Sequence, residues 1–334
     1  KTRILGVAID IGSTTMSAQI CDMNSGEVLA ISGMMNPQIR FGEDLMSRVS
    51  YGFMNKGGAE ELTKSIQNGL QQLIEKAIDQ ENLELRDIFE IVLVGNPVMH
   101  HLVLGIDPIE LGGAPFALTL DTAFNGFAKD IGLNLNPAAR LYLLPCIAGH
   151  VGADAAGVVL AEAPHKSEQI SLLIDIGTNA EMILGNRHHL MAASSPTGPA
   201  FEGAQISAGQ RAAVGAIERV RINPDNYEPM YKVIGSNKWS DSPEFQKDVQ
   251  KIGVTGICGS GIIEILAEMY LTGIISEDGV INGALSSKTK RIEKSGRTFS
   301  YRITDNIAIT QADVRAIQLA KAALYAGFRL LMDK

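Results

Sequence analysis

One pattern constrains the fold of this chain more than any other: a short apolar strand ending in Asp-Ile-Gly occurs twice, half the chain apart. The first copy is Ile4-Leu5-Gly6-Val7-Ala8-Ile9-Asp10-Ile11-Gly12-Ser13-Thr14-Thr15 and the second is Ser171-Leu172-Leu173-Ile174-Asp175-Ile176-Gly177-Thr178-Asn179. In both, a buried strand is expected to run into the turn and an alternating strand to leave it. The leaving strands carry Met16, Ala18 and Ile20 in one copy and Ala180, Met182 and Leu184 in the other. A third strand candidate follows each after a short turn, at 28–31 and 190–193. Two copies of one strand–turn–strand unit predict a duplicated α/β fold of two similar lobes, residues 1–165 and 166–334.

The first copy continues with one or two amphipathic helices over 43–77, broken near 55–58. A strand at 88–94 ends at Gly95-Asn96-Pro97, where Pro97 suits a helix start. Another strand is expected at 141–144, and an Ala- and Gly-rich helix over 149–163. The second copy carries polar insertions at 223–250 and 276–301. Helices are expected after Gly256-Ile257-Cys258-Gly259-Ser260-Gly261 (262–270) and from Thr310 or Gln311 to about Met332. The first copy follows its matching helix with a strand, so the second lobe is expected to be truncated, without its last strand–helix unit.

Composition narrows the function classes. Lys and Arg number 29 against 37 Asp and Glu, a formal charge of −8, which disfavours nucleic acid and anionic membranes as partners. The three cysteines, Cys21, Cys146 and Cys258, lie far apart with no C-x-x-C, so neither a disulfide framework nor a cysteine-ligated cluster is signalled. With no apolar stretch long enough to span a bilayer and a start at Lys1 that runs into a strand, a cytoplasmic protein is expected.

The repeated turns carry the chemistry. Glycine permits a tight turn whose amides face an anion, and the hydroxyls of Ser13, Thr14, Thr15 and Thr178 add neutral donors. Carboxylates beside phosphates are repelled unless a cation intervenes, so Asp10 and Asp175 make sense through a hydrated Mg²⁺ bridging them to the β- and γ-phosphates of a nucleoside triphosphate. No P-loop pattern G-x-x-x-x-G-K-[ST] occurs. Gly259, Ser260 and Gly261 open a helix whose amides could face a phosphate or ribose, with tight helix packing the alternative.

The two Asp-Ile-Gly-Ser/Thr motifs resemble the phosphate motifs of the superfamily of acetate kinase, sugar kinases, actin and heat-shock chaperones. That resemblance implies the duplicated actin-like, ribonuclease H-like fold with a nucleotide cleft. Gly152-Ala153-Asp154-Ala155-Ala156-Gly157 resembles the connecting helix of that superfamily. Further segments sharpen the likeness: Gly95-Asn96-Pro97-Val98-Met99-His100-His101-Leu102, Gly198-Pro199-Ala200-Phe201-Glu202-Gly203, Ser207-Ala208-Gly209-Gln210-Arg211-Ala212 and Ile309-Thr310-Gln311-Ala312-Asp313-Val314-Arg315. Over nearly its whole length the chain looks like the ATP-dependent reductive activators of corrinoid proteins.

Several expectations follow from this likeness. The activity is use of ATP to drive one-electron reduction of Co(II) corrinoid to Co(I). The partner is a corrinoid protein of a methyltransferase system, and the assembly is a homodimer. A two-iron, two-sulfur cluster is expected in an N-terminal ferredoxin-like domain that this chain lacks, as it lacks the C-terminal adenosine motif; without that domain it is expected to reduce nothing. By matching positions, Asp10 and Asp175 organise Mg²⁺, Gly12, Ser13, Thr14, Gly177, Thr178 and Asn179 meet phosphates, and Asp154 positions the attacking water. Glu181 is a second candidate for that task. Competing readings are a small-molecule kinase, a nucleotide-binding scaffold and, more weakly, an activator of hydroxyacyl-CoA dehydratases. The pairs His100-His101 and His188-His189 lack metal-ligand spacing, with His100 placed at a possible cleft edge.

Overall fold

The computed structural model describes residues 3–42 and 44–334; Lys1, at the expected start of the first strand segment, and Glu43, at the expected start of the first helix, lie outside the described residues. Strands β1 (Leu5–Ile11), β2 (Thr15–Asp22) and β3 (Val28–Met35) form an antiparallel meander. Val7, Ile9 and Ile11 on β1 and Met16, Ala18 and Ile20 on β2 are buried, as period-two alternation requires. Helix α1 (Leu45–Met54) is capped by the Asp44 carboxylate, which accepts from the Ser47 amide. The break at 55–58 separates it from α2 (Gly58–Gln80), which buries Leu62, Ile66, Leu70, Leu73 and Ala77 along one stripe.

Strand β4 (Ile88–Gly95) lies parallel to β1, and Asn96 caps α3 (Pro97–Val103) by accepting from the Met99 amide. Strands β5 (Phe124–Phe127) and β6 (Arg140–Leu143) complete a six-stranded sheet of order β3-β2-β1-β4-β6-β5. Helix α4 (Ala153–Glu162) then leads to a three-stranded sheet of β7 (Ser171–Ile176), β8 (Ala180–Gly185) and β9 (Leu190–Ser195).

The remaining chain holds β10 (Ala216–Ile222), β11 (Pro229–Val233), α5 (Pro243–Ile252), β12 (Gly256–Ile257), α6 (Gly259–Leu271), β13 (Ile292–Ser295), β14 (Thr298–Arg302), β15 (Ala308–Thr310) and α7 (Gln311–Met332). Its core gathers Ile217, Val220, Ile257, Ile262, Ile265, Ile309, Val314 and Ile317. The chain forms two compact units. One comprises the residues up to Asp175 with Glu181–Ser194, and the other comprises Ile176–Ala180 with Ser195–Lys334.

Two expectations change, and the polar insertions acquire defined elements. The helix anticipated over 149–163 begins at Ala153, because the chain before it makes a tight turn closed by a bridge between Ala148 and Val151. A Cβ at Gly152 would sit 2.6 Å from Asn96 Cα, so glycine there serves close backbone approach rather than a helix. The insertions are structured: β11 pairs antiparallel with β10, α5 follows it, and β13 pairs with β14. Strand β7 is not buried like β1. Leu172, Ile174 and Ile176 are each more than a third exposed, because β7 has one strand neighbour where β1 has two.

Candidate functional site

The first Asp-Ile-Gly turn is held from behind by two residues distant in sequence. Asn36 Nδ2 donates to Gly12 O at 2.8 Å, and the Asn36 amide donates to Thr14 O at 3.0 Å. The intervening Ser13 carbonyl accepts from the Arg48 guanidinium. Across a trans peptide the N–H of the next residue opposes the carbonyl. Pinning three consecutive carbonyls therefore turns the Ser13, Thr14 and Thr15 amides to the opposite side, the arrangement an anion requires. Gly12 is needed for this closeness, since a Cβ there would meet Thr15 O at 2.5 Å.

Arg48 is fully buried, and burial lowers its guanidinium to about 10. Its Nε donates to Gly42 O at 3.0 Å, and among the described residues it forms no ion pair. A positive charge thus lies beneath the turn, offset in part by the Asp44 charge but, among the described residues, with no carboxylate in ion-pair contact.

Four carboxyl groups collect in the same compact unit: Asp10 at the end of β1, Asp175 on β7, Asp154 in the first turn of α4 and Glu181 on β8. Asp10 is raised to about 6 by desolvation and then by the Asp175 charge. Its side chain keeps a face open to solvent, so water screens part of this repulsion. Asp154 is raised to about 6 by desolvation, with the Asp10 and Asp175 charges adding to it and the Ala155 amide opposing it through a 2.8 Å bond to Oδ1. Glu181 is pushed highest, to about 7, by desolvation and then by Asp154, against a 3.1 Å hydrogen bond from Ser194 Oγ. Desolvation also raises Asp175.

Among the described residues none of the four is ion-paired, and no group of three or more His, Cys, Asp and Glu side chains could hold a metal by itself. The donor set nonetheless fits Mg²⁺ in kind: hard oxygen ligands, clustered negative charge and no protein cation. Asp10 and Asp175 would supply part of a coordination shell, with water and phosphate oxygens left to complete it.

The second turn belongs to the other compact unit. Thr197 Oγ1 donates to Gly177 O at 2.9 Å, and the Gly198 amide donates to Thr178 O at 2.9 Å. The Thr178 amide and hydroxyl, expected on phosphate, both donate to Glu202 Oε1, at 2.7 and 2.9 Å. Glu202 ends a short 3₁₀ turn, Pro199–Glu202. Gly259 and Gly261 begin α6 in close packing: a Cβ at Gly259 would overlap Phe201 O, and one at Gly261 would overlap Ile217 O. Ser260 Oγ lies 3.2 Å from Cys258 Sγ. Thus Gly177, Thr178 and Asn179 on one side and Gly259, Ser260 and Gly261 on the other flank the 199–202 turn.

His100 and His101 are structural. His101 Nδ1 donates to Pro97 O at 2.8 Å while Nε2 accepts from the Thr119 amide at 3.0 Å. His100, placed at a possible cleft edge by the sequence, is buried with both ring nitrogens unpartnered, because every residue of α3 faces inward. Sequence reasoning missed Asn36, Arg48 and the contact of Glu202. Their signals were an Asn-Pro helix start, a cation among the apolar residues of α1, and an acid between Gly198 and Gly203.

Repeated Asp-Ile-Gly turns and ribonuclease H-like strand order, with a carboxylate cluster in the unit that carries the first turn, define an ASKHA-type protein. Residues 169–334 match the C-terminal domain of RACo, its ASKHA domain, and residues 5–167 match the RACo middle region; the chain belongs to this family of corrinoid-protein reductive activators. It is 33% identical to the corrinoid activation enzyme RamQ of Eubacterium limosum over 99% of this chain and 55% of that protein. It is 23% identical to the [Co(II) methylated amine-specific corrinoid protein] reductase of Methanosarcina barkeri over 81% of this chain and 52% of that one. A solved reductive activator for corrinoid, iron-sulfur protein superimposes with a TM-score of 0.85 and 35% identity, over 100% of this chain and 52% of that structure. The chain spans about half the length of these relatives. Among the described residues no helix is long and apolar enough to cross a membrane.

Proposed function

We propose that this chain is the nucleotide-binding part of a reductive activator, using ATP to drive one-electron reduction of a Co(II) corrinoid protein to Co(I). The observation that carries this reading is the group of four raised carboxyls beside a turn whose amides face outward, with a buried arginine behind it. Such a site repels itself until a divalent cation and a polyphosphate enter together. Asp10 and Asp175 hold the cation, and the Ser13, Thr14 and Thr15 amides bind phosphate oxygens. Bound there, Mg²⁺ would neutralise phosphate charge. The turn at Gly177, Thr178 and Asn179, in the other compact unit, is by itself also a candidate phosphate site. Asp154, with Glu181 beside it, orients the attacking water and takes its proton at a carboxylate oxygen.

The electron comes from a separate donor of the iron–sulfur class, outside the described residues. ATP binding or hydrolysis contributes by favouring the reduced corrinoid state: each tenfold preference shifts a one-electron potential by about 59 mV. The test is ATP hydrolysis by the full natural chain with and without a Co(II) corrinoid protein. Stimulation by the corrinoid protein, lost in Asp10→Ala and Asp175→Ala, is expected. Hydrolysis indifferent to it but stimulated by a small hydroxyl or carboxyl acceptor overturns the reading in favour of a kinase.

A further inference from the structure

We infer that Glu202 is an internal occupant of the second anion-binding turn, a carboxylate that incoming phosphate must displace. The inference rests on the reading that the Thr178 turn binds phosphate. One carboxylate oxygen of Glu202 takes both the Thr178 amide and the Thr178 hydroxyl, at 2.7 and 2.9 Å. These are the two donors that a phosphate oxygen would use. A hypothetical Cβ on Gly177 would stand 3.3 Å from the same oxygen, so the absence of a side chain there leaves room for an anion against the turn.

The rest of the turn is already fixed by protein. The Gly177 amide donates to Asn179 O, while Thr197 and Gly198 satisfy the Gly177 and Thr178 carbonyls. Only the anion position differs between a free and a loaded turn, and Glu202 fills it. Two anions cannot share one pair of donors, so phosphate binding requires the Glu202 carboxylate to leave.

Displacement has a local route. The 199–202 segment is one 3₁₀ turn between Gly198 (φ 73°) and Gly203 (φ 89°), both in the left-handed region. On its other side Phe201 O lies against the glycine that opens α6. A phosphate in the turn therefore releases a segment that α6 packs upon, converting occupancy of the turn into a change at a helix start. The same competition sets affinity: binding is weakened by the fraction of time the carboxylate is seated.

The test uses Glu202→Gln and Glu202→Ala in the full natural chain, with Mg·ATP, Mg·ADP and adenosine as probes in calorimetric titration. Both variants should bind Mg·ATP about tenfold more tightly, the result of a carboxylate seated about nine-tenths of the time, with adenosine binding unchanged. Without nucleotide both should melt lower than wild type, and the difference should vanish at saturating Mg·ATP. Unchanged or weaker Mg·ATP binding in both variants overturns the inference, as does an equal gain for adenosine. Thr178→Val separates the two failures. If it abolishes the binding of Mg·ATP while the Glu202 variants change nothing, the phosphate turn stands and the latch is wrong. If Thr178→Val also leaves binding unchanged, the second turn is not a phosphate site and the inference falls with it.

Discussion

Asp154 sits under opposing influences. Burial and the charges of Asp10 and Asp175 favour its protonated form, while the Ala155 amide favours the carboxylate. Water positioning needs the ionised form. With Asp154 raised to about 6 and Glu181 to about 7, hydrolysis should rise with pH through this range and level off above it. Asp154→Asn should lower kcat by roughly 10²–10⁴ while leaving the affinity for Mg·ATP nearly intact; single-turnover hydrolysis against pH, with equilibrium binding alongside, checks both. A variant that loses binding as much as turnover would make Asp154 a cation ligand instead.

At the scale of elements, α1 and the Asn36 corner exist in relation to the first turn. Arg48 spans from Gly42 O to Ser13 O through two in-plane donors, Nε and Nη2, of one planar group, a geometry lysine cannot copy. Arg48→Lys should retain the buried charge yet release one carbonyl, raising the Kd for Mg·ATP by about tenfold, equivalent to about 1.4 kcal/mol. The measurement is calorimetric titration beside the wild type, and an unchanged Kd would show that Arg48 supports α1 alone. The sequence made the turns themselves legible, because Asp-Ile-Gly repeats at half-chain spacing and apolar alternation reports strands locally. It also delimited α2 and α7 closely, where a continuous stripe or a Thr310–Asp313 capping box marks the ends. What it did not show is who holds the turns. Asn36, Arg48 and Glu202 reach their partners across 24, 35 and 24 residues, and while each carries a local signal, none of those signals names its partner. The segment before α4 was misread because glycine and alanine suit both a helix and a close backbone approach.

For the whole molecule, two sets of buried groups tilt stability against pH in opposite directions. The raised carboxyls bind protons more readily in the folded chain than in the unfolded one, so between about pH 4 and 7 they favour folding at the acidic end. His100 does the reverse. Burial and the neighbouring His101 lower it to about 4 from 6.5, so the unfolded chain takes up the proton first and stability is lost as pH falls through that window. His100→Leu, which removes two unpartnered nitrogens, should therefore stabilise most at about pH 5 and least at pH 8. Melting temperatures of the variant and wild type across that range would show the gap widening towards acid; a gap independent of pH would mean that His100 matters through packing only.

The chain passes between its two compact units at Asp175–Ile176, again at Ala180–Glu181, and a third time at Ser194–Ser195. The family boundary, between residues 167 and 169, falls before all three. Dissection at that boundary separates β7, β8 and β9 from α4, whose Ala155, Val158 and Val159 pack with Leu173, Ile183 and Leu190, and takes Asp175 and Glu181 away from Asp10 and Asp154. Split versions of this protein made for complementation or labelling should therefore recover nucleotide binding only when both halves are present together, whereas a break in an exposed loop such as 223–228 spares every strand that carries a carboxylate of the site.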